Sequence, residues 1–401
     1  MPAPSDPPPP IRRLADILLA FTAASVPLSI SGMQIGAGAL AALAAAGIGR
    51  SWNVVRRTPL DGVLGLFFGV LVLSTLAEGH VLKAQGWGRY WVVLTYFVVF
   101  WWLRDRDHAR RLALWVVVAG GVAGAYGILQ HFTGVDWYRA LVGEATRAQP
   151  RIAGAAGFAV VGFFRNYLTY AHAMIFPLAW AGAFAVAGSV LAAVAAVLLA
   201  FAVIFSTARG VWLAGIAGGA LLAGLSGRRG VLLLAAAGVV AVVAVAWSPG
   251  LREQAAPIFT ANAENTARLA IWRANLDIID EHPLLGLGFG RYKGLAVPYY
   301  DRHPEADRRS HAHSNVLQIA AEAGLIGLAA FGLVFAVILR RGFEAIGSTR
   351  GPGEWATAAG ACTGIVTFLL AGLTQYSFGD AEVVIGMWLT TAVLMRFTEA
   401  A

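Results

Sequence analysis

Twelve stretches of this chain run apolar over lengths close to a bilayer's thickness, and that feature limits what the chain can fold into. They fall at 14–30, 33–49, 60–77, 87–103, 112–132, 166–187, 190–205, 211–225, 231–247, 314–339, 355–373 and 381–397. Lipid offers a backbone no hydrogen bonds, so a spanning segment must be a helix or part of a closed barrel. These runs are continuously apolar rather than alternating, which selects helices. Composition agrees: of 401 residues, 58% are hydrophobic and only 13% charged, against about half and about a quarter in a soluble domain. At about 20 residues per crossing, the apolar content supplies roughly a dozen spans. The expected fold is all-α, a single polytopic membrane domain over 1–401 with about twelve transmembrane helices and one long loop, 248–313, between spans 9 and 10.

The same numbers exclude a soluble enzyme, a disordered protein and a nucleic-acid-binding protein. The formal charge of +8 does not argue for nucleic acid, because no basic block stands apart from the apolar segments. The single cysteine, Cys362, excludes an intrachain disulfide and a Cys-based metal cluster. In its apolar run it reads as a small core residue. After MPAPSDPPPPIRR the chain turns apolar at Leu14 and stays so past Ile30 into a second run, without a clear small-residue cleavage site. This reads as an uncleaved first span rather than a signal peptide.

Orientation follows from Lys and Arg in short loops. The 30 basic residues divide evenly between the two sides, but their placement does not. With both termini cytoplasmic, the pairs Arg56–Arg57, Arg110–Arg111, Arg228–Arg229 and Arg340–Arg341 all fall inside. Eight of the outer basic residues lie in the long loop, and long loops translocate largely regardless of charge. Residues 152–164 are apolar but short and Gly-rich. As a thirteenth span they would invert every later loop, so they read as a re-entrant or surface-lying piece.

Within the long loop, Asn265 or Thr266 is expected to cap a helix reaching Glu281. Leu269, Trp272, Leu276 and Ile279 share one face of it, and Pro283 ends it. The glycines of PLLGLGFGRY lack the lysine and the preceding strand of a phosphate loop, so they predict a tight turn. The loop is expected to form an amphipathic cap on the outer face of the bundle. There is no repeat at a fixed period.

An arginine close to membrane depth is costly and marks a functional site by default. Arg209 stands in FSTARGVWL, between two spans with almost no loop, at the outer interface. Arg268 opens the amphipathic helix. Each has a structural alternative: a snorkelling arginine for the first, a solvated helix face for the second. The chemical reading is a phosphate site, since the guanidinium fork matches phosphate oxygens and stays charged. On a side without ATP, a lipid diphosphate is the natural ligand. His311, Asn315, Gln318 and Glu322 are spaced to form one polar stripe in an apolar segment, which belongs against the bundle interior or a wet cavity. His313 lies off that stripe at the helix start, where the dipole favours neutral imidazole, the form a general base needs. His311 and His313 alone are a weak metal signal, with only His303 or Asp307 as a third ligand, so no metal is assigned. The D-x-D of Asp105 and Asp107 is crowded with arginines and reads as a solvated charge run.

Four stretches now carry a resemblance: GFFRNYLTYAHAM (162–174), FSTARGVWLAG (205–215), TARLAIWRANLDIIDEHPLLGLGFG (266–290) and HSNVLQIAAEAGLIG (313–327). In this order they resemble the O-antigen ligase family, within the wider ligase and polymerase superfamily. The last matches the family's His and polar residue, nine-residue gap, then Gly-x-x-Gly, at His313-Ser314, Gly324 and Gly327. The resemblance implies a GT-C-like inner-membrane glycosyltransferase with a periplasmic active site, needing neither metal nor ATP. It implies transfer of O-antigen polysaccharide from an undecaprenyl-diphosphate carrier to a sugar hydroxyl of lipid A–core, completing lipopolysaccharide. By carry-over His313 is the catalytic base, while Arg209 and Arg268 bind the diphosphate. A base opposite leaving-group cations suits single displacement with inversion. Secondary candidates are His311, Arg165, Arg291, Asn315 and Glu322.

Two alternatives keep this chemistry and change the acceptor: an O-antigen polymerase and a protein O-oligosaccharyltransferase. The short tail after Arg396 argues against the appended periplasmic domain that protein-glycosylating relatives often carry. A transporter is the rival of a different class, with Glu322 and Asp380 as its intramembrane carboxylates. It would be expected to show paired repeats, which are not seen.

Overall fold

The computed structural model describes residues 6–48, 52–77, 79, 90–143, 157–247, 252, 253, 255, 263–306 and 311–399. Among them there is no β-strand, and every predicted apolar run falls on a helix. The first half holds α1 (Pro9–Ser25), α2 (Ile30–Gly47), α3 (Asp61–Ala77), α4 (Leu94–Trp102), α5 (Arg106–Thr133) and the short α6 (Trp137–Leu141). Next come α7 (Tyr167–Ala173) and α8 (Ile175–Val186), one predicted run broken at Met174, then α9 (Val190–Phe205), α10 (Arg209–Ser226) and α11 (Arg228–Trp247). The stretch predicted as a long loop contributes α12 (Ala263–Glu281), α13 (Tyr292–Leu295) and α14 (Val297–Tyr300). The chain closes with α15 (Asn315–Gly347), α16 (Pro352–Ala371) and α17 (Ala381–Arg396).

Several starts are set by a side chain that accepts a hydrogen bond from an otherwise orphaned first-turn N–H. Ser29 accepts from Gly32, Asp105 from His108, Ser189 from Ala192 and Ser314 from Leu317. Among the described residues six helical stretches are long and apolar enough to cross a membrane: Ile30–Gly47, Arg106–Thr133, Tyr167–Val186, Arg209–Ser226, Asn315–Gly347 and Pro352–Ala371. Three shorter apolar stretches, Asp61–Ala77, Trp91–Trp102 and Val190–Phe205, accompany them. The protein is a multi-pass helical membrane protein.

Helices that are apolar all round belong in the interior of such a bundle. α17 is one: every residue from Val383 to Met395 is buried. It packs on α4 and α16, and α16 in turn packs on α8 and α10. Small residues let backbones approach where lipid supplies no hydrophobic drive between helices. At Gly124 of α5 a Cβ would lie 2.9 Å from the backbone of Leu198 and Leu199 in α9. The outward faces leave Ile17, Ile35, Leu191, Ile216, Val239 and Trp247 exposed. An apolar surface of this extent would associate in water and is stable against acyl chains.

The two ends of the bundle differ chemically. At one end the described termini meet several of the basic loops. Arg104 pairs with Asp16 (2.9 Å) and Arg106 with Glu354 (3.3 Å), while Arg106 also donates to the carbonyls of Ser348 and Phe397. Arg56 donates to the carbonyls of Phe100 and Leu103, and Arg396 pairs with Glu399 and reaches the Arg104 carbonyl. The D-x-D is spent locally: Asp105 caps α5, and Asp107 pairs with Arg110 and Arg111. Cys362 is buried in α16.

Of the piece predicted to be re-entrant, residues 157–164 are non-helical backbone and 152–156 lie outside the described residues. Ala159, Val160, Val161 and Phe164 are buried. The backbone is satisfied by the Phe158 N–H on the His131 carbonyl and the Val160 N–H on the Phe205 carbonyl. The Gln130 side chain bonds both the N–H and the carbonyl of Gly162. The described part therefore crosses nothing.

α15 departs from the predicted span in two ways: it runs on to Gly347, and it breaks at Gly324, where φ is 67° and ψ −173°. Only glycine holds that conformation without strain. The break leaves peptide groups without helical partners, and 282–287 supplies them. The N–H of Leu325 donates to the Pro283 carbonyl (2.8 Å), and that of Leu287 to the Ala321 carbonyl (2.9 Å). Ser74 of α3 donates its hydroxyl to the carbonyls of Leu285 (2.7 Å) and Glu322 (3.0 Å). The turn predicted from PLLGLGFGRY is real, and its partner is the glycine of the broken helix. A Cβ on Gly324 would come within 2.1 Å of the Leu284 carbonyl oxygen. Gly324→Ala is expected to destabilise the detergent-purified protein by about 2 kcal/mol or more. Gly332→Ala, with nothing within 4 Å of the added methyl, is expected to be neutral or better. Thermal unfolding of the two variants beside the parent checks this, and an unchanged Gly324→Ala melt refutes it.

Candidate active site

The end of the bundle opposite the described termini is assembled around the α16–α17 connection, residues 372–380. Arg209 is presented by a tight α9–α10 turn. The Ser206 hydroxyl donates to the Val203 carbonyl (2.6 Å), and the Trp212 indole N–H crosses to the same carbonyl (3.0 Å). Thr207 in that turn has φ 63°, and His313 has φ 51°; they are the only non-glycine residues with positive φ among those described. Backbone held in this sparsely populated region clusters at functional sites. Here it flanks one candidate cation and holds the candidate base.

The Arg209 guanidinium pairs with Glu264 at 2.6 Å, and Arg268 pairs with the other oxygen of the same carboxylate at 3.2 Å. Arg268 also donates to the Thr374 carbonyl at 3.1 Å. Glu264 bridges the two cations from the first turn of α12, four residues ahead of Arg268, the spacing at which helical side chains meet. Burial pulls the Arg268 guanidinium below its ordinary pKa, Glu264 pulls it back up, and neighbouring Arg209 adds to the lowering. An anion held between two guanidiniums is the interaction this cluster is built for. In this structure a carboxylate supplies it.

His313 reaches the next residue of the same connection. Its Nδ1 lies 3.0 Å from Gln375 Oε1. Its backbone N–H donates to His311 Nδ1 (3.3 Å), and the two imidazole rings lie 4.3 Å apart. The connection is pinned from below by Asn315: its N–H donates to the Gly372 carbonyl (2.6 Å), and its side-chain oxygen accepts from the Phe378 N–H (2.9 Å). The turn that carries Arg209 abuts it as well, since a Cβ on the adjacent Gly210 would fall 2.4 Å from the Thr374 hydroxyl. Arg209, Arg268 and His313 are therefore brought together on one end of the bundle, across two consecutive residues of one connection.

The predicted polar stripe is shorter than expected. The helix begins at Asn315, so His311 and His313 precede it. Asn315, Gln318 and Glu322 face the interior and are buried, and Gln318 accepts the Ala312 N–H. Arg165 is exposed just before α7, whose first residue Tyr167 acts electrostatically on Arg268. Arg291 is half-buried at the start of α13, with no hydrogen bond or ion pair to the Arg209–Glu264–Arg268 cluster among the described residues. Among the described residues no group of three His, Cys, Asp or Glu side chains is placed to share a metal. His303 is bonded to Asp277 (2.8 Å), and Asp307 lies outside the described residues.

α12 corrects two expectations. It starts at Ala263, ahead of the predicted caps Asn265 and Thr266. Its buried face is Ala270, Ile271, Ala274, Asn275 and Ile278, while Leu269 and Leu276 are exposed. Ile271 and Ile278 face inward together with small residues, because the helix packs on α15 and on a compact group including Tyr292, Tyr299 and Tyr300. Sequence reading missed Glu264 and Gln375; the i, i+4 spacing of Glu264 and Arg268 was the only signal for the first.

Residues 194–332 match the family model described as O-antigen ligase. Over that stretch the chain is similar to the O-antigen ligase family. No curated protein matches it. The family segment holds Arg209, Glu264, Arg268, Arg291, His311, His313, Asn315 and Glu322. It leaves out Arg165 and the 372–380 connection. The family carries O-antigen ligase-type glycosyl transfer in a membrane protein, and the clustered arginines suit an anionic substrate group. If Glu264 competes for that position, Glu264→Gln is expected to tighten pyrophosphate binding on the order of fivefold, the loss of a partly exposed ion pair of about 1 kcal/mol. Calorimetric titration of purified protein measures it, and unchanged or weaker binding contradicts the competition.

Proposed function

We propose that this protein transfers O-antigen polysaccharide from undecaprenyl diphosphate to a sugar hydroxyl of lipid A–core, at the periplasmic face of the bacterial inner membrane. In this reading the chain makes about twelve crossings in a GT-C-like arrangement, both termini are cytoplasmic, and 248–313 is a periplasmic loop. Supporting it are the family segment, the clustering of basic loops with the described termini at one end, and above all the gathering of Arg209, Arg268 and His313 at the other.

The chemistry needs two things from the protein. Charge grows on the diphosphate as the glycosidic C–O bond breaks, and preorganised cations hold it. Arg209 and Arg268 fill this role, exchanging the Glu264 carboxylate for the diphosphate. The acceptor hydroxyl loses its proton as its oxygen bonds the anomeric carbon, and His313 takes that proton. Binding both lipids in one cleft turns a two-substrate encounter into an oriented one. With base and leaving-group cations on opposite sides of the sugar, displacement occurs in one step and inverts the anomeric centre. NMR of the new linkage reads the configuration, and retention would exclude a single displacement. His311, Arg165 and Arg291 are secondary contacts in this proposal. Asn315 acts by holding the connection, and Glu322 by lining the buried face of the broken helix.

The deciding assay supplies purified protein with carrier-linked glycan and, separately, lipid A–core, a second carrier-linked glycan and a peptide. Product on lipid A–core alone is expected. Product on the second glycan would make the protein a polymerase, and product on the peptide an oligosaccharyltransferase. His313→Ala is expected to remain folded in the membrane and to lose transfer by at least about 10²-fold, the scale of a positioned base; near-parental transfer would remove the base assignment. Arg209→Lys keeps the charge and loses the fork, and a fall in kcat of about tenfold or more is expected. A parental rate with lysine would leave Arg209 a structural residue.

A further inference from the structure

We infer that Gln375 is a positioning residue for the transfer: it fixes the tautomer and ring orientation of His313. This rests on the reading of His313 as the base. A carbamoyl oxygen can only accept. With Gln375 Oε1 3.0 Å from His313 Nδ1, the ring's hydrogen sits on Nδ1, and Nε2 carries the lone pair that takes the acceptor proton. The bond made by one ring nitrogen sets the state of the other. Neighbouring His311 is held the other way round, its Nδ1 accepting from the His313 N–H. The two adjacent imidazoles are thus not interchangeable.

The amide can do this because the backbone that carries it is held. Gln375 is 9% exposed, and its backbone carbonyl accepts the Ser377 N–H at 3.0 Å. The flanking Thr374 carbonyl is bound by Arg268 and the following Phe378 N–H by Asn315. One short connection therefore sets both the base and a leaving-group cation. A neutral amide also orients the imidazole without the carboxylate charge that would favour imidazolium and withdraw the base.

Gln375→Leu is expected to lower kcat by 10- to 100-fold with KM for both lipids little changed. Gln375→Glu keeps an accepting oxygen but adds the charge, so its kcat is expected to approach the parent's only at higher pH, where the imidazole is again neutral. ¹⁵N NMR of histidine-labelled protein, with the His313 signals assigned by their loss in His313→Gln, is expected to show hydrogen on Nδ1 in the parent and a tautomer mixture in Gln375→Leu. If His313→Ala keeps transfer, the base reading fails whatever Gln375 does. If His313→Ala is inactive while Gln375→Leu keeps parental kcat and ring shifts, the base reading stands and the positioning role is overturned. Should Gln375→Leu not accumulate, the parent's spectrum decides, and hydrogen on Nε2 overturns the inference.

Discussion

A helix that breaks inside a packed bundle must find partners for the peptide groups it frees, and much of the candidate site's end of this protein follows from how α15 finds them. The break at Gly324 is accommodated by 282–287, whose carbonyls and N–H groups replace the missing helical ones, and by the Ser74 hydroxyl from α3. Unpaired groups in a poorly hydrated environment cost several kcal/mol each, so the two segments hold each other in place. The short helical piece before the break is thereby oriented, with Asn315, Gln318 and Glu322 buried and His313 just ahead of it. The Gly-x-x-Gly of the sequence motif serves this geometry and has no direct chemical part.

The second organising element is the 372–380 connection. Its Thr374 carbonyl holds Arg268, its Gln375 amide meets His313, and Asn315 anchors both its start and its far side. Cations for a leaving group and a base for a nucleophile need a fixed separation, because misplacement on the ångström scale is costly in an oriented reaction. In the proposed reaction one connection at this end of the bundle supplies it. The Glu264 bridge pairs both arginines and offsets their mutual repulsion.

Much of the fold was legible because membrane chemistry writes it in composition. Lipid permits only helices, and apolar runs are their direct record, so every predicted run became a helix. The run 166–187 holds as one apolar helical stretch, Tyr167–Val186, with a turn residue at Met174. What was misread turns on context. On α12 the face read from Leu269 and Leu276 is exposed, while protein covers Ile271, Ile278 and the small residues beside them. Near a bilayer, apolar periodicity marks a face away from water without saying whether lipid or protein covers it. Glu264 drew no reading from the sequence, since nothing in its neighbourhood shows Arg209 arriving from 55 positions earlier.

By itself, then, the order of residues determined the helical class, the membrane environment, the approximate helix positions and the identity of the candidate base and cations. These depend on side-chain chemistry and local spacing. Only the tertiary structure decided that Gly324 interrupts a helix, that Glu264 bridges the arginines and that Gln375 meets His313. Each is a contact between groups far apart in the chain, and such contacts exist only once packing has fixed which elements are neighbours.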